Sequence, residues 1–259
     1  MNPAITLWQR QLKKSFVHIE EILGTLIQPV LWVVLFGVGM KSFMGAMGPG
    51  DGDSYMTFVL PGIIAFTVVG AASGGGFTWL SERIRGINKE YLVAPIPRIS
   101  ILLGHAFSIT TTVLIQTVII MLVGLLMGAR LNPSPLGWLG GFLLIAGFAI
   151  GFSGIALAVA STTDSSSGYH MMIFALQLPL MFLSNSLYPL ATMPTWLRVG
   201  SMLNPTTYVV TGLREVMMAP LTDGTDVNII PLWLCFVVIA AFAAAGMGLA
   251  LRAFQRTIK

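Results

Sequence analysis

Six stretches of this chain contain no Asp, Glu, Lys or Arg: Ile22 to Met40, Ser54 to Ser81, Ile99 to Ala129, Leu131 to Thr163, Ser165 to Leu197 and Val227 to Leu251. They run for 19, 28, 31, 33, 33 and 25 residues. A helix needs about 20 predominantly apolar residues to cross the hydrocarbon of a bilayer. Inside hydrocarbon every backbone N–H and C=O must be bonded within the chain, so helices are the spanning form for long continuous apolar runs. Composition agrees, with 55% hydrophobic and 9% charged residues and a mean hydropathy of +0.84. Such a chain is not a soluble globule. The fold class expected is an all-α integral membrane protein with six transmembrane helices, at about 23–44, 55–79, 101–127, 137–160, 169–190 and 229–251.

The cations orient these spans. With both termini in the cytoplasm, the inner segments hold Arg10, Lys13, Lys14, Arg83, Arg85, Lys89, Arg98, Arg252, Arg256 and Lys259, and the outer ones only Lys41, Arg130, Arg198 and Arg214. A division of 10 to 4 satisfies the positive-inside rule. The first apolar run is long and no small-residue cleavage site follows it, so it is expected to be a retained helix rather than a signal peptide. Before it, Ile5, Trp8, Leu12, Phe16, Ile19 and Leu23 recur at steps of three and four, while Arg10, Lys13, Lys14 and His18 fall largely elsewhere around the turn. Residues 1–21 are therefore expected to form an amphipathic helix along the inner membrane surface.

Glycine is abundant, at 28 residues. Between membrane helices a missing side chain lets backbones approach closely, the role expected of Gly37, Gly39, Gly147, Gly151, Gly154, Gly246 and Gly248. Three consecutive glycines, Gly74 to Gly76, weaken a helix by about 1 kcal/mol each relative to alanine. A bend is expected there.

Catalytic and metal chemistry find little support. Cys235 is the single cysteine and has no partner for a disulfide. His18, His105 and His170 lack metal-ligand spacing with one another. His170 near Asp164 and the serines 165–167 permits an intramembrane enzyme, but a Ser-rich connection between two helices explains the same letters. No G-x-x-x-x-G-K-[ST] loop is present, so the chain is not expected to hydrolyse ATP alone. The spans hold no carboxylate or cation of the kind an ion-coupled carrier uses. No nucleic-acid partner is expected; membrane lipids are.

Residues 82–98, ERIRGINKEYLVAPIPR, concentrate six charges in seventeen positions around the apolar segment 91–97. Such a loop can bury its apolar side in a groove on another protein while its charges pair around the rim. An ordinary basic inner loop would also fit this composition. Gly86 to Ala94 is expected to form a short helix ended by Pro95.

In this loop Glu82, Gly86, Glu90, Leu92, Pro95, Pro97 and Arg98 stand in an order that resembles the first cytoplasmic loop of ABC-2 type transporter permeases, especially small bacterial permeases of the daunorubicin-resistance group. After the fifth span, MPTWLRVGSMLNPTTYVVTGLRE resembles a second pattern of that family, through Pro194, Trp196, Leu197, Asn204, Pro205, Tyr208, Gly212 and Arg214. The resemblance covers most of the chain, 22–259 forming the transmembrane domain.

The resemblance implies a dimer, with a second copy or a paralogue, served by two cytoplasmic ABC ATPase subunits that bind ATP and Mg. This chain itself would carry no cofactor. Residues 82–98 would be the coupling loop, with Glu82, Gly86, Glu90, Leu92, Pro95, Ile96 and Arg98 engaging the ATPase, and residues 1–21 a connecting helix. Residues 191–219 would re-enter the outer leaflet as an outer gate carrying Pro194, Trp196, Asn204, Pro205, Tyr208 and Arg214. The 15 charge-free residues from Val199 to Leu213 are too few to span, and Arg214 and Glu215 are expected near the outer interface. The function implied is export of a hydrophobic or amphipathic drug, antibiotic or lipid across a cell inner membrane. A polysaccharide or glycolipid exporter is the alternative, and a non-transporting scaffold or intramembrane enzyme the competitor from another class.

Overall fold

The computed structural model describes residues 3–17, 19–47, 52–86, 97–219 and 230–257. Among these residues there are nine α-helices and no strand beyond one isolated bridge, Leu131 with Met218. The helices are α1 (Pro3–Val17), α2 (Ile19–Met47), α3 (Gly52–Ile84), α4 (Arg98–Leu126), α5 (Pro135–Thr162), α6 (Ser166–Phe182), α7 (Thr195–Leu203), α8 (Pro205–Met217) and α9 (Leu232–Thr257). A single 3₁₀ turn, Leu190–Thr192, precedes α7.

Local chemistry explains where several helices begin. Ser134 caps α5 by accepting from the Gly137 N–H at 3.4 Å, and Pro135 follows in the first turn, where its missing N–H costs nothing. Ser165 caps α6 through the Gly168 N–H at 3.1 Å. Gly86 follows the end of α3 with φ of +78°, a left-handed conformation that side-chain-bearing residues rarely adopt.

Among the described residues four helical segments are long and apolar enough to cross a membrane: Tyr55–Ile84, Ile99–Leu126, Pro135–Thr162 and Leu232–Gln255. In α2 the apolar stretch among the described residues is Leu26–Gly39. The fifth expected span, 169–190, is shorter than its sequence suggested, because α6 stops at Phe182 after 17 residues. Pro179 lies in its last turn, and the Leu180 and Leu183 carbonyls that a longer helix would use accept instead from the Asn204 side chain, at 2.9 and 2.8 Å.

Helix α3 is central: 78% of its most apolar window is buried, against 22% for α9 on the flank. Two clusters of buried side chains lie along it. The larger joins α2 to α5, α8 and α9 around Leu60, Ile64, Val68, Phe148, Phe152 and Leu213. The smaller gathers Trp79, Leu80, Leu102, Leu157, Tyr169 and Phe254 toward the other end of α3. These ends are named below by their polar residues, the Asn204 end and the Arg83 end.

Small residues set the closest approach, between α5 and α9. Gly147 faces Ile239, Gly151 faces Phe242, and Gly154 lies directly on the Gly246 backbone. Lipid tails are as apolar as leucine, so helices in a bilayer associate by close packing rather than by escape from water. Gly39 and Gly248 pack against nothing, contrary to expectation. Helix α3 runs on through Gly74 to Gly76. Gly75 accommodates Ile109 of α4 and Gly76 accommodates Tyr169 of α6 and Ala156 of α5. Helix α1 is pinned along α4: Trp8 Nε1 donates to Thr111 at 3.1 Å and Gln11 Nε2 to His105 Nε2 at 3.2 Å.

Candidate functional site

At the Asn204 end, one side chain joins two helices. Asn204 Oδ1 accepts from the Thr206 N–H at 2.9 Å and caps α8, while its Nδ2 donates to the Leu180 and Leu183 carbonyls that close α6. An Asn-Pro pair suits this position, since Asn is a strong cap and Pro is pre-set for the first helical turn. Tyr208 then donates to the Met202 carbonyl at 2.8 Å and closes the end of α7.

Helix α8 turns Arg214 into the protein, where it is 7% exposed, and leaves Glu215 exposed. Its Nε donates to the Phe58 carbonyl at 3.0 Å, its Nη2 to the Asn185 carbonyl at 2.7 Å, and its guanidinium carbon lies 3.7 Å from the centre of the Phe58 ring. A buried cation is costly unless hydrogen-bonded, and here backbone dipoles and an aromatic face stand where a carboxylate would be. Asn185 continues the cluster by donating to Thr211 at 2.8 Å. Asn204, Pro205, Tyr208 and Arg214 thus share one polar joint, whereas Pro194 and Trp196, the latter 71% exposed, stand outside it at the start of α7.

Two clefts run along α3 between α2 and α6. The one nearer the Asn204 end is mainly apolar, walled by Trp32, Phe36, Val59, Ile63, Leu180 and Met181, with Ser186 and Thr206 also lining it. The second is lined by three carboxamides, Gln28, Gln116 and Gln177, with Thr67. Phe66 and Gln177 belong to both. Among the described residues no charged side chain lines either cleft. The glutamines escaped a sequence reading that searched the spans for full charges; a carboxamide in an apolar run was the available signal.

At the Arg83 end, the Arg83 guanidinium meets the end of α5. Nη1 donates to the Ala160 carbonyl at 3.1 Å and to the Ser161 carbonyl, and Nη2 to the Thr163 carbonyl at 3.0 Å and to Asp164 Oδ1 at 2.5 Å. The sequence reading counted Arg83 only as an inner cation. Asp164 is thereby engaged, and His170 lies against Phe77 with ring centres 4.7 Å apart and planes tilted by 36°. No hydrogen bond joins Asp164 to His170, so the geometry offers no base and orienter pair.

Of the expected ATPase-contacting residues, Glu82 is 7% exposed in the last turns of α3, Gly86 follows the end of that helix and Arg98 opens α4. Glu90, Leu92, Pro95 and Ile96, and with them the expected short helix from Gly86 to Ala94, lie in or run into the stretch 87–96 outside the described residues.

Comparison with known proteins agrees with this arrangement. Over 208 residues the chain is 31% identical to a putative transport permease, ycf38, of Cyanophora paradoxa, covering 78% of this chain and 71% of the relative. It is 26% identical over 215 residues to the daunorubicin resistance ABC transporter permease protein DrrB1 of Streptomyces coeruleorubidus, covering 82% and 73%. It is 25% identical over 245 residues to the inner membrane transport permease YadH of Escherichia coli strain K12, covering 93% and 90%. The sequence model of the ABC-2 type transporter family matches residues 4–218. With apolar helices, the two clefts and relatives described as permeases, this chain is a multi-pass membrane protein that belongs to the ABC-2 type transporter family.

Proposed function

We propose that this chain is the permease half of an exporter that moves an uncharged hydrophobic or amphipathic molecule out of the cytoplasm or inner leaflet, driven in trans by an ABC ATPase. The observation that carries the substrate class is the pair of clefts. Trp32, Phe36 and Met181 offer an apolar body an apolar wall, and Gln28, Gln116 and Gln177 offer a polar head carboxamides, with no fixed charge among the described lining residues. Few, well-placed polar groups in an apolar wall give orientation without tight retention. A polysaccharide would need a wider conduit with more polar and aromatic lining.

In this reading both termini and the 82–98 loop face the cytoplasm and α2 and α6 complete six spans. The polar joint around Asn204 and Arg214 closes the outer side, and a second copy or paralogue completes the pathway. Leu92 and Ile96 enter a groove on the ATPase, and Glu90 meets a cation there. The test is reconstitution with a partner ATPase in proteoliposomes, following ATP-dependent movement of a neutral amphipathic dye. Glu90→Ala with Leu92→Ala is expected to leave the permease inserted, weaken ATPase co-purification and abolish transport. Unchanged association and transport in that double variant, at normal abundance, would refute the docking role. ATP hydrolysis by the permease alone would refute the division of labour.

A further inference from the structure

We propose that Gln28, Gln116 and Gln177 select the head of the cargo, admitting a neutral group that both donates and accepts hydrogen bonds, an amide above all, and rejecting a carboxylate or an ammonium; this deepens the exporter reading above and rests on it. The three carboxamides come from three helices, α2, α4 and α6, and line one cleft together with residues of α3. Each carries two N–H donors and one carbonyl acceptor, so an occupant that offers only donors or only acceptors answers part of what this wall presents. An amide answers both. Thr67, the other polar side chain of this cleft, already gives its hydroxyl proton to the Ile63 carbonyl at 2.8 Å and is left as an acceptor.

The surroundings of the carboxamides argue against a charged head. An ion taken out of water is costly unless an opposite charge meets it, and among the described residues neither cleft is lined by one. A neutral amide loses less on leaving water and regains hydrogen bonds from the same side chains. The shared wall then orients the rest of the molecule. Phe66 and Gln177 line both clefts, so the polar and apolar sites are contiguous. In α6, Leu180 and Met181 follow Gln177 toward the Asn204 joint, and the Leu180 carbonyl is bonded to Asn204 itself. The apolar body therefore lies toward the Asn204 end and the head away from it.

The experiment measures equilibrium binding to the purified full chain in nanodiscs, without an ATPase, of naphthalene probes on one short alkyl arm that ends in a primary amide, a methyl group, a carboxylate or a trimethylammonium. Binding is corrected for partition into empty nanodiscs. The amide probe is expected to bind about tenfold more tightly than the methyl probe, the scale of one net hydrogen bond, and the two charged probes more weakly than either. Gln177→Leu and Gln28→Leu are each expected to shrink the amide preference severalfold while the methyl probe keeps its wild-type affinity. Phe36→Ala is expected to weaken the amide and methyl probes alike. Gln116 is 1% exposed, so Gln116→Leu serves only if its unfolding midpoint matches wild type; Gln28 is exposed and Gln177 half-buried, and these two decide the matter otherwise. No amide preference in the wild type, a preference for either charged head, or an amide preference that survives both Gln28→Leu and Gln177→Leu overturns the proposal, as does the absence of saturable binding by every probe. ATP-driven dye movement by the complex without head selectivity sinks this inference alone, whereas head-selective binding without any such movement sinks the exporter reading and leaves a binding site that serves no export.

Discussion

At the Asn204 end, polar side chains are buried and answer backbone groups of three or more helices; at the Arg83 end, one arginine answers the end of a single helix from a side chain that is 21% exposed. Arg214 and Asn185 are both almost wholly shielded, at 7% and 0% exposure. Away from water each of their hydrogen bonds has no substitute, so removing one partner leaves the other orphaned at full cost. The Arg83 side chain itself is part-exposed and Asp164 is 94% exposed, although Ala160, Ser161 and Thr163 are buried, so water can take over only part of what is lost. The first arrangement suits an element that must hold its shape, and the second contributes less stability.

The largest effect expected follows from this contrast. Arg214→Ala strips donors from the Phe58 and Asn185 carbonyls and the cation from the Phe58 ring, a loss on the order of 3 kcal/mol given about 1–3 kcal/mol per orphaned buried group. Denaturant titration in detergent micelles measures it. A loss below about 1 kcal/mol, the range for exposed ion pairs, would show that water reaches this joint and would erase the distinction between the two ends.

Asn204 separates capping from clamping. Asn204→Ala loses the cap, worth about 1 kcal/mol, and two donated bonds of about 1 kcal/mol each, for a total near 2–3 kcal/mol. Asn204→Asp keeps the cap acceptor but donates nothing and sets a carboxylate against the Leu180 and Leu183 carbonyls. It is expected to be at least as destabilising as alanine. If Asn204→Asp behaves like wild type, the residue acts only as a cap and α6 is not held through it.

Between the ends, Gly154→Ala would press a methyl group into the Gly246 backbone and is expected to cost about 1–3 kcal/mol, as overpacking does. Gly74→Ala meets nothing and is expected to stabilise α3 by up to about 1 kcal/mol. Equal effects in thermal unfolding would mean that α5 and α9 do not pack at these glycines.

The smallest change in stability belongs to Arg83→Gln, at about 0.3–1 kcal/mol for a cation at a helix end. A loss of 3 kcal/mol would make the Arg83 end as rigid a joint as the Asn204 end. Topology offers an independent check on which end faces the cell interior. On a Cys235→Ser background, cysteines at Gly50 and Asp226 should label from outside and those at Lys89 and Lys259 should not; labelling of Lys89 would reverse the assignment.

The apolar runs announced six spans, four of which are helices long and apolar enough among the described residues, and three helices, α5, α6 and α8, start at caps local in sequence: Ser134 before Pro135, Ser165 before Gly168, Asn204 before Pro205. Such signals are legible because a cap reaches only two or three residues along the chain. The length of α6 was not, because its last carbonyls are claimed by Asn204, more than twenty residues away. The candidate site divides in the same way. Asn204, Pro205 and Arg214 stood out as a motif, but the direction Arg214 faces was hidden. A charge beside an apolar run looks interfacial until Phe58, 156 positions earlier, supplies a carbonyl and a ring to receive it.

By itself, then, the sequence determined that the chain is helical and membrane-embedded, since run length, composition and backbone satisfaction in hydrocarbon leave no other economical form. It also carried the local caps that start α5, α6 and α8. Only the tertiary structure decided which glycines face a neighbour, that Gln28, Gln116 and Gln177 line one cleft, and that Arg83 closes on the end of α5 rather than standing free as one more inner cation. Those outcomes depend on pairs of residues some 60 to 150 positions apart, and no periodicity along one helix records which face of another will meet it.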